Sequence, residues 1–138
     1  MDDTFLIFEG SGTELKNLND FLNGIESNLK FTLETESENK INYLDLTVKK
    51  GTEKLSFSIY RKPTTTDITI HAMSYHPQQQ KMAAYNSLVY RLLHVPLNKE
   101  EFEKELTIIK QIAKSNGYSY EIVDRILKKQ KQKPSCTD

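Results

Sequence analysis

The chain has 138 residues, 37% of them hydrophobic and 28% charged, with 19 basic and 19 acidic side chains. That is enough for one domain or two small lobes, and the composition is that of a globular chain rather than a disordered one. No run of about 18 apolar residues occurs, which excludes a membrane-spanning helix, and the start lacks the basic-then-apolar pattern of a secretory signal.

The balanced charge hides an asymmetry. Residues 1–59 carry 6 basic and 11 acidic side chains, and residues 60–138 carry 13 and 8. An acidic first part suits a bound cation and a basic second part suits a polyanion, although a modest excess of either sign is also ordinary surface charge. The single cysteine, Cys136, lies in a polar tail and has no second cysteine to pair with. An intracellular protein, nuclear or cytoplasmic, is the expectation.

At the start, Asp2 and Asp3 stand just ahead of the apolar residues 5–8. A strand points neighbouring side chains to opposite faces, so adjacent carboxylates read as a turn with 5–8 as the returning strand. Two carboxylates in such a turn offer oxygen ligands to a hard divalent cation, as two-metal phosphoryl transfer requires. On spacing alone, such a pair near a chain start is usually an ordinary solvated turn.

Gly10 to Gly12 breaks the apolar run, and Thr13 is placed to cap a helix reaching Ile25, with Leu15, Leu18, Phe21, Leu22 and Ile25 on one face. Residues 29–34 alternate apolar and polar and read as a strand. A turn at 37–40 leads to a strand over 41–48, and a second turn at 50–53 leads to its hairpin partner over 55–60. The basic, hydroxyl-rich loop Arg61, Lys62, Pro63, Thr64 follows, carrying groups suited to phosphate oxygens or simply connecting two elements. Residues 68–70 could add a short strand. His71 and His76 lack a companion Cys or third His and make a weak zinc pair.

The remainder reads as helices. One runs from Gln79 to His94 and is stopped by Pro96. A second is capped by Asn98, with Glu101 three residues on, and runs to Ser115 with Phe102, Leu106, Ile109, Ile112 and Ala113 inward. Asn116-Gly117 ends it, and Ser119 caps a last helix with Ile122, Val123, Ile126 and Leu127 inward. Short connections between amphipathic helices predict a small bundle. The fold class is therefore α+β: a small antiparallel sheet with one packed helix, then a helical bundle. The divisions expected are 1–70, 71–128 and a basic polar tail over 129–138.

The ordered motifs resemble the C-terminal part of a reverse transcriptase domain, of the kind in Penelope-like and other retroelements without long terminal repeats. The likeness runs from Met1-Asp2-Asp3 through Phe21-Leu22-Asn23, residues 29–34 and 41–46, then Tyr60-Arg61-Lys62-Pro63-Thr64, His76-Pro77, Lys81, Arg91 and Asn116-Gly117-Tyr118. The resemblance implies a lower palm followed by a thumb. It makes Asp2 and Asp3 the catalytic carboxylates that hold Mg²⁺, Asp2 being the firmer ligand. It implies a primer-grip hairpin over 41–60 and places Arg61, Lys62, Thr64, Lys81 and Arg91 near an RNA template and DNA primer. The family's Tyr before the aspartate pair, the fingers and the earlier aspartate-bearing strand are not in this sequence. The expectation is thus a fragment of an RNA-directed DNA polymerase, inactive alone, with no membrane partner. The alternatives are a non-catalytic nucleic-acid-binding or protein-interaction module derived from a retroelement, or a decayed copy.

Overall fold

A computed structural model describes residues 3–132, so Asp2, Lys133 and Cys136 lie outside the described residues. The elements run α1 (Gly12–Ile25), β1 (Lys40–Tyr43), β2 (Leu46–Lys50), β3 (Leu55–Ile59), α2 (Gln78–His94), α3 (Lys99–Ser115) and α4 (Glu121–Lys131). This is an α+β arrangement, with a three-stranded antiparallel meander in the order β1-β2-β3 ahead of a three-helix bundle.

Helix α1 starts two residues earlier than expected, and its cap is Ser11 rather than Thr13. The Ser11 hydroxyl accepts from the Glu14 amide while the Glu14 carboxylate accepts from the Ser11 amide, so two otherwise orphaned donors are satisfied reciprocally. The expected apolar stripe is present, but α1 buries none of its residues, and Phe21 and Ile25 are largely exposed.

Residues 5–8 and 29–34 are not strands. Neither joins a ladder. Alternation sets the pattern of a strand without supplying a partner for its backbone. The second segment is instead held by one side chain: Asn23 Nδ2 donates to the Phe31 carbonyl at 3.0 Å and Asn23 Oδ1 accepts from the Phe31 amide at 2.6 Å.

The expected single strand over 41–48 is two. Tyr43 pairs with Leu46, so the chain reverses across Leu44 and Asp45, with Leu44 at φ 54°. The left-handed region is costly for leucine, which is why the apolar alternation concealed this turn. Outside contacts hold it closed: the Tyr60 amide donates to the Asp45 carbonyl at 2.8 Å. The preceding turn uses Glu38 and Asn39, both at positive φ, between the reciprocally bonded Ser37 and Lys40. The β2–β3 hairpin falls where it was expected, with Val48 opposite Phe57.

The core belongs to the bundle. Tyr85, Val89 and Leu92 of α2 pack with Ile109, Ile112 and Ala113 of α3 and with Val123 and Ile126 of α4. Burying each such aliphatic side chain contributes roughly 1.5–3 kcal/mol, so this cluster holds the three helices together. The sheet adds Val48 as its buried apolar residue. Residues 68–70 form no strand. They lie against the bundle through side-chain bonds described below. Helix α4 continues to Lys131, so the first positions of the expected basic tail are its last turn.

Candidate nucleic-acid interface

The nucleic-acid-contact residues singled out by sequence divide into two groups. Arg61, Arg91 and Lys81 are occupied within the chain. Arg61 leaves the end of β3 and forms an ion pair with Glu105 of α3, with Asp67 3.7 Å from its other terminal nitrogen. Arg91 of α2 pairs with Asp45 in the β1–β2 turn at 3.2 Å. Lys81 Nζ donates to the Ala72 carbonyl at 2.8 Å. These three join segments of the fold rather than extending toward a ligand. Lys62 and Thr64, in contrast, are exposed on the loop after β3. The structure does not gather the five into one patch. Lys81 and Arg91 are separated by about 15 Å along α2 at 1.5 Å per residue.

The sheet is fastened to the bundle by charge. Besides Arg61–Glu105 and Arg91–Asp45, Lys49 of β2 reaches Glu101 of α3 at 3.4 Å. A parallel bridge between Phe57 and Leu97 joins β3 to the α2–α3 connection. Glu105 is only 5% exposed. Burial raises its pKa above the ordinary glutamate value, and the facing Arg61 and Arg91 only partly offset this. Sequence reading passed over Glu105, although it lies four residues before Ile109 on the inward stripe of α3, and a carboxylate there needs a buried cation.

A second cluster clamps the segment before α2. Asn116, buried at the end of α3, accepts from the Thr69 amide through Oδ1 at 3.0 Å and donates through Nδ2 to the Asp67 carbonyl at 2.9 Å. Its carbonyl accepts from the Ala72 amide at 3.0 Å. Thr69 and Tyr85 share a hydroxyl hydrogen bond of 2.7 Å, and the Tyr118 hydroxyl donates to the Ile70 carbonyl. Asn116 therefore does more than end a helix. It replaces the strand expected over 68–70 with a side-chain mimic of backbone pairing. Gly117 follows at φ 83°, and a Cβ there would come within 2.8 Å of the His71 imidazole.

His71 and His76 are each engaged within their own loop through Nδ1. His71 Nδ1 accepts from the Met73 amide at 3.2 Å, and His76 Nδ1 is hydrogen-bonded to the Ser74 hydroxyl. Among the described residues no three His, Cys, Asp or Glu side chains converge as a metal site. Asp3 is exposed, and its carbonyl accepts from the Tyr43 hydroxyl at 3.3 Å. A single carboxylate falls short of the oxygen ligands Mg²⁺ takes, so the described residues do not fit that ion.

Helix α4 carries a further cluster of positive charge. Its last turn carries Lys128, Lys129 and Lys131, the last of these 5.7 Å from the centre of the Phe102 ring. Earlier α4 charges are neutralised: Asp124 pairs with Lys110 at 2.8 Å and Arg125 with Glu121 at 3.8 Å.

The model of the Animal helix-turn-helix domain family matches residues 68–128, under half of the chain. No curated protein and no solved structure matches. The matched stretch is the bundle together with the segment that Asn116 clamps to it. Within it α3 and α4 are joined by a short connection containing Gly117. Helix-turn-helix units are used to set a helix against nucleic acid. Among the described residues no helix is long and apolar enough to cross a membrane.

Proposed function

We propose that this chain binds nucleic acid through its helical half, with the last turn of α4 supplying phosphate contacts. The observation that carries this is the helix-turn-helix match falling on a compact bundle whose α4 ends in Lys128, Lys129 and Lys131. Lys62 and Thr64 extend the same role from the loop after β3, while Arg61, Lys81 and Arg91 act as struts. The motif order supports a finer reading in which the bundle is the thumb of a retroelement reverse transcriptase and the ligand is an RNA template paired with its DNA primer. In the full-length enzyme Asp2 and Asp3 would hold Mg²⁺ beside further carboxylates. This chain by itself binds and does not polymerise.

The test is an affinity series with an RNA–DNA hybrid, a DNA duplex and single strands, each titrated with salt. Neutralising a few phosphates gives a log–log slope near −0.9 per contact. Binding that is absent at low salt overturns the reading. Primer extension with Mg²⁺ or Mn²⁺ tests the second half, and incorporation that disappears in Asp2→Ala would refute it.

A second reading is favoured by the first third of the chain. Leu6, Ile7, Phe21, Ile25 and Leu29 are each more than half exposed. So much uncovered apolar surface suits a protein partner. Salt-insensitive association lost on Phe21→Glu would support it.

A further inference from the structure

The loop between the clamped segment and α2 is fixed at both ends yet presents its largest side chains to solvent. At its start the Ala72 amide is bonded to the Asn116 carbonyl, and the Ala72 carbonyl to Lys81 Nζ. The Ser74 amide donates to the His71 carbonyl at 3.0 Å, closing a turn, and the Ser74 hydroxyl is bonded to His76. At its end the Pro77 carbonyl accepts from the Gln80 and Lys81 amides. His71 lies so close to Gly117 that the absence of a side chain there makes the seat possible. From this frame Tyr75 projects fully exposed, with Met73 nearly so. An aromatic ring held in water by an ordered backbone gains nothing for the fold, but it is preorganised for a flat apolar partner.

What lies beside Tyr75 narrows the partner. An open depression of about 440 Å³ is lined by Ser74, Tyr75, His76 and Pro77. The next residues, Gln78 and Gln79, begin the wall of a second groove of about 350 Å³ between α2 and α4, which Asn86 and Lys129 also line. Gln130 Nε2 donates to the Asn86 carbonyl at 2.9 Å and ties α4 to that wall. The order along this path is aromatic ring, carboxamides, ammonium. An unpaired nucleotide presents a matching sequence of base face, base edge and phosphate. A base inside a duplex has both faces stacked and would offer the ring nothing.

We propose that Tyr75 stacks on an unpaired base at the mouth of the α2–α4 groove, so that the helical half holds a single-stranded segment or a frayed end as well as paired nucleic acid. The inference rests on the nucleic-acid reading above and assigns it a substrate class. Tyr75 supplies the stacking plane, Gln78 and Gln79 face the base edge, and Lys129 takes a phosphate.

The test measures binding of the full chain to a short oligouridine carrying one fluorescent purine analogue, and to a blunt duplex of the same length. Base–aromatic stacking is worth roughly tenfold or more in affinity when the ring is removed. Tyr75→Ala should weaken the single strand by about that factor, leave the duplex unchanged and abolish quenching of the analogue. Tyr75→Phe should keep both affinity and quenching, because the ring and not the hydroxyl is used. Equal affinity and quenching in the wild type and Tyr75→Ala overturns the inference while leaving nucleic-acid binding intact. Equal loss for strand and duplex overturns it too, because the loop would then be acting through the fold. A wild-type chain that binds neither ligand defeats the broader reading as well.

Discussion

Arg61, two residues beyond β3, and Glu105, in the middle of α3, form an ion pair across the junction of sheet and bundle, and the Glu105 side chain is almost wholly withdrawn from water. Removing Arg61 takes the direct ion-pair partner from the buried Glu105, and removing Glu105 leaves Arg61 only the more distant, exposed Asp67; breaking a buried pair costs about 3 kcal/mol. Arg61→Ala and Glu105→Ala are each expected to lower stability by about that amount, read from denaturant midpoints at constant slope. The double variant should cost less than the sum of the two. Lys62→Ala, on the neighbouring exposed side chain, should leave stability unchanged and weaken nucleic-acid binding.

The same carboxyl group gives a pH dependence. Burial, the strongest influence on it, raises the pKa of Glu105 above the ordinary value of 4.5 despite the facing arginines. The native state therefore holds a proton that the unfolded chain has released, and stability falls as pH rises from about 4.5 toward the folded value. Comparing denaturant midpoints of the wild type and Glu105→Gln across mildly acidic pH isolates this contribution. The difference should move against the wild type as pH rises, and a difference moving the other way would show that the arginines outweigh burial.

Asn116 satisfies backbone groups of Asp67 and Thr69 that have left any strand ladder. Asn116→Ala orphans these groups and should destabilise the chain by about 2 kcal/mol. Hydrogen exchange should locate the change at the Thr69 amide, which loses its side-chain acceptor, whereas the Ala72 amide keeps the backbone carbonyl it is bonded to. Gly117→Ala combines a positive φ with a clash against His71, and a loss of about 1–2 kcal/mol is expected, with the His71 imidazole displaced in its NMR spectrum.

Charge reversal at the end of α4 separates binding from folding. Lys128→Glu with Lys129→Glu alters exposed side chains whose effect on stability should stay within about 0.5 kcal/mol. Affinity for any nucleic acid should fall steeply, and the salt slope should shrink by about two contacts.

Much of the bundle was legible in the sequence because its signals are local. Asn98 caps α3 through the Glu101 amide, Pro96 separates two helices, and Gly117 adopts the positive φ that its position suggested. The β2–β3 hairpin was legible for the same reason. Leu44 was not, because its turn is stabilised by Tyr60 and Arg91, which are distant in sequence. The segments at 5–8 and 29–34 carry the strand pattern without a partner, and pattern alone does not create one. For the interface, composition showed that the second half is basic, but it could not show which cations were already engaged. Arg61 and Arg91 face Glu105, and Glu105 was readable only as a charge out of place on an apolar stripe. Tyr75 carries no periodic signal, since exposure of one ring in a loop is decided by the clamp around it.

The uncovered apolar face of α1 and its flanking segments has a consequence for biosynthesis. Ribosomes deliver the N-terminal third first, and the core that forms afterwards, built from α2, α3 and α4, buries none of the α1 side chains. Completion of the bundle therefore does not relieve the adhesiveness of the nascent chain. Residues such as Phe21 and Ile25 stay open to chaperones, or to aggregation, for as long as no other polypeptide surface covers them.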